Sequence, residues 1–354
     1  MDRPARHGRG RLDGRPVGHR VAHSPGRGTR ALVPMTAPDR FPLTITPTPL
    51  RRAPGLEDHL GSGPIWVKRD DLIGFAVAGN KARPLEYLIG DALAHGADVL
   101  VATGSPTSNF CPAAALAARR AGLYCELIHS GAPPADPPVT MRMSEAAGAQ
   151  LRFDPTVSRA DLDEVVHRRV VELRKRGRRP YSVPRGGATA IGGVGFAVAA
   201  QELATQCAEL DIEAGTIVIP TGSGGTQAGL LAGRAGSNLP LQVVGASVSR
   251  PVEEIRARVH HLAGQCARLL GTLEPSADDV EVRDAVGAGF GVASVADRES
   301  AHLALTAVGL LLDDTYGAKA MTVLRALTRE SDGPFIFWCT GGLPSALHAL
   351  EGPA

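Results

Sequence analysis

The 354-residue sequence has five cysteines, and aromatic residues make up only 4% of it. The cysteines are scattered without a C-x-x-C pair, which argues against a disulfide framework or a zinc site and favours a reducing compartment. No run of 18 apolar residues occurs, so the sequence predicts no membrane-spanning helix. We therefore expect a cytoplasmic protein that holds no metal ion and does not contact a membrane.

The sequence also lacks a large excess of either charge, because 38 Lys and Arg residues nearly balance 36 Asp and Glu residues and the formal net charge is only +2. The first 34 residues contain eight Arg and two Asp, a balance of +6, which leaves about −4 for the remainder. That remainder shows no basic footprint for nucleic acid. Residues 1–40 are rich in Arg and Gly and lack apolar periodicity, so we predict a disordered tail.

Short apolar runs alternate with helical patterns along the rest of the chain. This alternation predicts an α/β fold with open, mostly parallel twisted sheets that helices cover on both faces. The predicted strands are residues 65–70, 98–104, 124–130, 150–154, 216–222, 241–248 and 335–341. The predicted helices include residues 109–122, 160–176, 189–209 and 298–313.

A glycine-rich loop, "TGSGGT", connects the predicted strand 216–222 to a helical pattern. Glycines allow backbone N–H groups to converge, and the following helix adds the positive end of its dipole. The combination predicts an anion site, most often for phosphate. The spacing matches neither a P-loop nor a clean dinucleotide fingerprint, and a purely structural turn is the alternative.

Lys81 stands where the helical pattern "NKARPLEYLIGDAL" begins, although the helix dipole disfavours a cation there. Partial burial at such a place lowers the pKa of a lysine and makes its amine a nucleophile. A phosphate site together with such an amine suits pyridoxal phosphate, which needs an anchor and an imine-forming lysine. An ordinary surface lysine is the alternative.

Two other strand ends carry polar residues. Ser108 and Asn109 lie where a strand turns into a helix, in "TSNF". They suit either helix capping or contacts with a substrate carboxylate and the cofactor's ring oxygen. Thr340, in "CTGG", follows an apolar strand and suits a hydrogen bond to a pyridine nitrogen, or else a simple strand-end turn.

In this order, these elements resemble the fold-type II pyridoxal-phosphate enzymes, a tryptophan synthase β-like group. Within it the sequence is most similar to the family of D-cysteine desulfhydrase and 1-aminocyclopropane-1-carboxylate (ACC) deaminase. The matching stretches run from about residue 45 to 348. They are "TPTPLRR", "WVKRDDLIGFAVAGNKARPLEYLIGDAL", "SNF", "RGGATAIGGVGFAVAAQEL", "TGSGGTQAGLLAG", "LLDDTYGAKAM" and "CTGGLPSAL".

The resemblance implies a two-domain homodimer. A large pyridoxal-phosphate-binding domain would comprise residues 41–89 and 201–354, and a small α/β domain, residues 90–200, would be inserted between them. Lys81 would form the Schiff base and shuttle the α-proton. Asn109 would contact the ring oxygen, and Thr340 would face the ring nitrogen.

The resemblance also implies the remaining site residues. The catalytic residues would be Lys81, Ser108 and Tyr316. The cofactor would contact Asn80, Lys81, Asn109, Gly222, Ser223, Gly224, Gly225, Thr226 and Thr340. The amino-acid substrate would contact Ser108, Asn109, Phe110, Phe290 and Tyr316.

The sequence departs from the family pattern at several positions. Phe110 replaces the His or Gln of "SNH" and "SNQ", Phe290 replaces the Tyr of "GYG", and Cys339 replaces the His of "HTGG". Pro84 stands where the family carries a second basic residue. The loss of polar groups at Phe110, Phe290 and Cys339 predicts a remodelled, less polar substrate pocket.

A further departure bears on the reaction. ACC deaminases carry a Glu after the active-site tyrosine, where this chain has Gly317. A Glu beside the pyridine nitrogen makes the ring the strong electron sink that opening a cyclopropane requires. A neutral Thr340 suits β-elimination better, because the leaving group itself removes the electrons.

We therefore predict a lyase that uses pyridoxal phosphate, removes the Cα proton of a small amino acid and eliminates a β-substituent. Its products would be ammonia and a 2-oxo acid. The alternatives are a β- or γ-replacement synthase of specialised metabolism, an ACC deaminase, and a pyridoxal-phosphate binder that has lost catalysis.

Overall fold

The computed structural model describes residues 37–158, 161–212, 215–235 and 241–350. The predicted disordered tail, residues 1–40, lies outside the described residues except for its last four. The described strands are β1 (Leu50–Arg52), β2 (Ile65–Arg69), β3 (Val99–Thr103), β4 (Tyr124–Ser130), β5 (Gln150–Asp154), β6 (Pro180–Val183), β7 (Gly215–Thr221), β8 (Leu241–Ser247), β9 (Glu281–Asp284) and β10 (Phe335–Cys339). The described helices are α1 (Pro54–Leu60), α2 (Ala82–Ala94), α3 (Phe110–Arg120), α4 (Val139–Ala146), α5 (Leu162–Lys175), α6 (Ala190–Glu209), α7 (Gly225–Arg234), α8 (Val252–Leu270), α9 (Val295–Val308), α10 (Gly317–Leu327) and α11 (Leu343–Leu350).

The strands form two sheets. The larger sheet has the order β1-β2-β10-β7-β8-β9, and the smaller has the order β5-β4-β3-β6. Within the larger sheet β1 runs antiparallel to β2, and all the other neighbouring strand pairs of this sheet are parallel. All pairs of the smaller sheet are parallel. The predicted α/β fold with mostly parallel sheets is therefore confirmed.

The central strands are apolar throughout because both faces of each sheet are covered. Along β7 and β10 the side chains alternate between two hydrophobic clusters. Ile217 and Trp338 belong to one cluster, and Val218 and Phe337 belong to the other. Since neighbouring side chains of a strand point to opposite faces, these clusters are the two layers that enclose the larger sheet.

Some sequence-based boundaries were wrong. The helix predicted for residues 298–313 is α9, which begins earlier because Ser294 and Asp297 form a capping box. It ends at Val308 because Gly309 adopts a left-handed conformation with φ of 68°. Three strands were not predicted: β1, β6 and β9 have only three or four residues, too few to show a pattern.

The division into two domains stays a proposal. The four strands of the smaller sheet all lie within residues 90–200, and those of the larger sheet lie in the two flanking segments. However, the proposed boundaries fall inside α2 and α6, which are continuous helices. The chain therefore passes between the two proposed domains within helices and not within loops.

None of the helices in the described parts of the chain is long and apolar enough to cross a membrane. The same residues contain no group of three His, Cys, Asp or Glu side chains that is arranged to hold a metal ion. All five cysteines are free and buried.

Candidate functional site

The glycine-rich loop and Thr340 both follow parallel strands of the larger sheet. The loop connects β7 to α7, and Thr340 follows β10, the neighbour of β7. In open α/β sheets the carboxyl ends of adjacent parallel strands form the usual crevice for a ligand. The loop and Thr340 therefore share one edge of the sheet.

A short 3₁₀ turn, Gly79–Lys81, presents Lys81 to this edge. The backbone N–H of Asn80 donates to the carbonyl oxygen of Thr340 at 2.9 Å, and Asn80 Nδ2 lies 3.4 Å from Thr226 Oγ1. A Cβ on Gly79 would lie 2.2 Å from the same Thr340 oxygen, so the turn requires glycine there. Asn80 thus joins the Lys81 turn to both strand-end loops.

Lys81 is partly exposed and immediately precedes α2. Desolvation by the surrounding protein lowers the pKa of Lys81 to about 8, although the charge of Asp313 acts to raise it. Its Nζ atom lies 6.0 Å from the centroid of the Tyr316 ring. A larger fraction of Lys81 is therefore a neutral amine near pH 7 than in an ordinary lysine.

The Tyr316 ring is the meeting point of three predicted site residues. It contacts Phe290 edge-on, with 5.9 Å between the ring centroids. A Cβ on Gly222 would lie 3.2 Å from Tyr316 Cε1. Lys81, Gly222 and Phe290 therefore surround one aromatic side chain, although they come from distant parts of the sequence.

The loop before α7 has the geometry of an anion cradle. Gly224 has φ of 89°, and a Cβ on Gly225 would lie 3.1 Å from the Cα of Ala188. Arg258 Nε donates to the carbonyl oxygen of Ser223 at 2.8 Å and holds the loop from outside. The first N–H groups of α7 have no acceptor within the helix, so they are available to an anion.

A family model described as "Pyridoxal-phosphate dependent enzyme" matches residues 42–341. The chain belongs to this family. A Pyrococcus abyssi protein provisionally named 1-aminocyclopropane-1-carboxylate deaminase is 36% identical over 320 residues, which cover 88% of this chain and 95% of the relative. The D-cysteine desulfhydrase of Salmonella choleraesuis is 34% identical over 322 residues, which cover 86% of this chain and 95% of that relative.

Two solved structures share the fold of this chain. The crystal structure of an ACC deaminase homologue superposes with a TM-score of 0.83 at 31% sequence identity. The matched residues cover 89% of this chain and 95% of the homologue's chain. The crystal structure of a threonine deaminase superposes with a TM-score of 0.61 at 18% sequence identity, and the matched residues cover 84% of this chain and 92% of the threonine deaminase chain. At that identity the similarity shows the fold alone. The chain is thus a fold-type II pyridoxal-phosphate enzyme of the ACC deaminase and D-cysteine desulfhydrase group.

The residues of this enzyme fit the cofactor of its family. The glycine loop packs tightly at Gly225, where a Cβ would lie 3.1 Å from Ala188 Cα, and it presents helix N–H groups that suit a phosphate. The amine that would bind the aldehyde carbon is Lys81, whose lowered pKa suits a nucleophile. Both groups lie beside Tyr316, so one cofactor molecule can bridge them.

The Ser108–Asn109 turn of the enzyme lies at the start of α3. Ser108 Oγ accepts a hydrogen bond from the backbone N–H of Phe110, the first residue of α3, at 3.2 Å, whereas the N-cap residue Asn109 makes no side-chain capping bond. Ser345 Oγ of α11 donates to Asn109 Oδ1 at 3.3 Å, a contact that the sequence did not suggest. The roles of Ser108 and Asn109 toward substrate and cofactor remain predictions.

Two of the three positions that lost polar groups are buried in the hydrophobic core. Phe110 is 2% exposed, belongs to the same hydrophobic cluster as Leu88, and its ring approaches Gly187. Cys339 is 1% exposed in a cluster with Phe337. Phe290 is partly exposed beside Tyr316. The expectation of a less polar pocket therefore depends chiefly on Phe290, and a substrate contact of Phe110 stays untested.

Asp313 is a site residue that the sequence reasoning missed. Its buried carboxylate accepts from the backbone N–H groups of Thr315, Tyr316 and Gly317, at 3.2, 3.1 and 3.0 Å. Burial raises the pKa of Asp313 to about 6, although these hydrogen bonds act to lower it. The acidic pair before the Tyr316 helix was the available signal. Asp313 both orients Tyr316 and supplies a negative charge near Lys81.

A buried ionic network anchors the start of α2, two residues beyond Lys81. Arg83 donates to Asp70 Oδ2 at 2.8 Å and to Glu202 Oε2 at 3.0 Å. Trp338 Nε1 donates to the same Asp70 oxygen at 2.8 Å, and Lys68 pairs with Glu202. Because β2, β10, α2 and α6 all contribute, this network fixes the first turn of α2 against the larger sheet.

Proposed function

We propose that the enzyme is a lyase that acts on a small amino acid, with D-cysteine as the first candidate. The Cα proton is removed, the β-substituent leaves with its bonding electrons, and hydrolysis yields ammonia and a 2-oxo acid. For D-cysteine the overall balance is D-cysteine and water to pyruvate, ammonia and hydrogen sulfide. The observation that carries the proposal is the position of Lys81 beside the glycine cradle, with its Nζ atom 6.0 Å from the Tyr316 ring that also packs against Gly222. The lowered pKa of Lys81 supports it.

The glycine cradle and the polar residues around it each have a defined role in this proposal. Pyridoxal phosphate, when bound, supplies the electron sink that makes the Cα–H bond acidic. The N–H groups from Gly222 to Thr226 would hold its phosphate, and Asn80, Asn109 and Thr340 would hold its ring. Lys81 Nζ would act as the base that accepts the Cα proton, because its lowered pKa favours the neutral amine.

The substrate side of the site is formed by two loops. Ser108 and Asn109 bind the substrate carboxylate at the N-terminus of α3, where the helix dipole favours an anion. The Tyr316 hydroxyl orients the leaving group. Phe290 forms an apolar wall against Tyr316 and restricts the size of the β-substituent.

The same residues argue against ring opening of ACC. Gly317 provides no carboxylate after Tyr316. The buried carboxylate that does act on Lys81 belongs to Asp313, and its oxygens already accept three backbone N–H groups. A neutral Thr340 beside the ring nitrogen would make the cofactor ring a weaker electron sink than a carboxylate would. A weaker sink suffices for elimination, because the leaving group carries the electrons away.

A replacement synthase is the second candidate, and the partly exposed apolar ring of Phe290 favours it. An apolar wall disfavours water and favours a thiol or amine with an apolar body as the nucleophile at the β- or γ-carbon. Addition of a thiol or an amine to the assay separates the two reactions. A new adduct supports replacement, whereas unchanged formation of 2-oxo acid and ammonia supports elimination.

The decisive experiment uses the enzyme loaded with pyridoxal phosphate. Its visible absorbance is recorded before and after adding a panel of D- and L-amino acids and ACC, together with ammonia and 2-oxo acid. We expect D-cysteine to change the spectrum and to release both products, and Lys81→Ala to abolish them. Lys175→Ala, on the exposed face of α5, is the matched control and retains them. A catalytically lost binder would bind the cofactor without exchanging any α-proton in D₂O.

We also propose a cytoplasmic homodimer. Five free, buried cysteines fit a reducing compartment. The dimer follows only from the family, and sedimentation of the purified protein tests it.

A further inference from the structure

Two of the chain's four lysines are completely buried, at positions 68 and 319. Lys68 pairs with Glu202, as expected for a buried charge. Lys319, on α10, forms no ion pair with any residue that the structure describes. Its Nζ atom instead donates to two backbone carbonyls, of Val286 at 2.5 Å and of Gly289 at 3.0 Å. An ammonium placed against carbonyl oxygens makes charge-assisted bonds, and its three N–H groups can serve both acceptors at once.

The two acceptors belong to the turn between β9 and α9. Gly287 and Gly289 have φ of 57° and 140°, and Gly291 has φ of 79°. A turn with three such glycines has high conformational entropy when it is not held. Within the turn, the N–H of Gly289 already donates to the carbonyl of Val286 at 3.1 Å. Lys319 adds the bonds that tie the turn to α10.

The same turn carries Phe290. Its ring packs edge-on against Tyr316, which lies one helical turn before Lys319 at the start of α10. One end of α10 therefore holds the turn at two points, through the Tyr316 ring and through the Lys319 ammonium. Because Tyr316 also lies 6.0 Å from Lys81 Nζ, the position of Phe290 sets a boundary of the proposed substrate pocket.

Lys319 itself does not reach that pocket. It lines a separate cavity of about 430 Å³ together with Asp284, Gly287, Asp297, Thr322 and Glu330. The β9–α9 turn contributes Gly287 to this cavity and Phe290 to the packing around Tyr316. A change at Lys319 therefore acts on the substrate indirectly, through the turn that carries Phe290 and through α10, which follows Tyr316.

We propose that Lys319 is a positioning residue whose ammonium clamps the Val286–Gly289 turn and thereby holds Phe290 against Tyr316 as a wall of the substrate pocket. The clamp itself is a property of the fold, and its effect on catalysis rests on the function proposed above. A neutral side chain of similar shape at position 319 would leave both carbonyls without their charged donor. The turn would then sample other conformations, and the substrate would lose a fixed wall while the phosphate cradle stayed intact.

Lys319→Met tests the clamp in the enzyme loaded with pyridoxal phosphate. Amide hydrogen exchange in the peptide covering residues 285–292 is expected to accelerate by about tenfold or more, while exchange in β7 and α7 stays unchanged. Lys68→Met is the matched control, because it removes the other fully buried lysine. It should destabilise the fold without selective loosening of the turn.

The kinetic arm uses D-cysteine. We expect Lys319→Met to raise KM by about tenfold with a smaller change in kcat, and to leave the absorbance of the bound cofactor unchanged. Lys319→Arg, which keeps the charge, should restore part of the loss. In Lys319→Ala, methylammonium can enter through the cavity and should slow exchange of the turn again.

Several results would overturn the clamp. Unchanged exchange in the turn of Lys319→Met would do so, as would the same selective acceleration in Lys68→Met. A loosened turn with normal KM and kcat would show that Lys319 has only a structural role. If Lys319→Met does not fold, two other variants test the clamp. Exchange in the turn is then measured in Lys319→Arg, and in Lys319→Ala with and without methylammonium. Exchange in Lys319→Ala that methylammonium does not slow would overturn the clamp. If the unmodified enzyme does not process D-cysteine, the proposed reaction fails, whereas the exchange measurements still judge the clamp.

Discussion

Replacing Lys81 by methionine is expected to stabilise the cofactor-free protein at neutral pH. Burial lowers the pKa of this ammonium from 10.5 to about 8. Because one pKa unit corresponds to about 1.4 kcal/mol, full burial would make the charged lysine cost the folded state about 3.5 kcal/mol, and the partial exposure of Lys81 reduces this to about 2–3 kcal/mol. Methionine fills a similar apolar volume without a charge, so most of this cost should disappear.

The pH dependence gives the prediction its sign. Below pH 8 the lysine is protonated in both states, and the folded chain bears the full penalty. Between pH 8 and 10.5 the folded state has already lost the proton while the unfolded chain retains it, so the penalty shrinks. Above that range Lys81 is neutral in both states, and the variant and the unmodified protein should be equally stable.

Urea unfolding of both cofactor-free proteins at a series of pH values between 6 and 11 measures this difference. Lys175→Met removes an exposed lysine and should change the free energy of unfolding by less than about 0.5 kcal/mol at every pH. Added pyridoxal phosphate should stabilise the unmodified protein more than Lys81→Met, since tight binding needs the amine. A Lys81→Met protein no more stable at pH 7, or an advantage that did not fall with pH, would refute the reasoning.

Two further predictions concern the loop and the buried acid. Gly224→Ala should lower the free energy of unfolding by about 1–2 kcal/mol because of its positive φ, and it should weaken pyridoxal phosphate binding, measured by titrating the visible absorbance. Gly61→Ala carries a similar φ in open space, so it should lose stability without losing affinity; equal affinity losses would contradict the cradle. Asp313→Asn should lower the pKa of Lys81 further, since the Asp313 charge stabilises the ammonium. The pH profile of Lys81 labelling by an amine reagent in cofactor-free protein checks this, and an unmoved midpoint would exclude the coupling.

The sequence predicted the features that depend on local patterns. Continuous apolar strands between amphipathic helices indicated a parallel α/β fold, because such strands must be covered on both faces. The glycine loop and the lysine at the start of α2 were recognisable because backbone freedom and helix position are properties of a few neighbouring residues. Very short strands such as β9 were missed because their pairing depends on neighbours rather than on their own residues.

The sequence by itself determined the fold class, the nucleophilic amine and the anion loop, since each follows from residues close together in the chain. Only the tertiary structure decided which distant residues meet. It buried Phe110 in the core, placed Asp313 where it influences Lys81, and set Lys319 against the Phe290 turn. Such contacts depend on how helices pack on the sheet edges, because burial and charge are properties of the surroundings that packing creates.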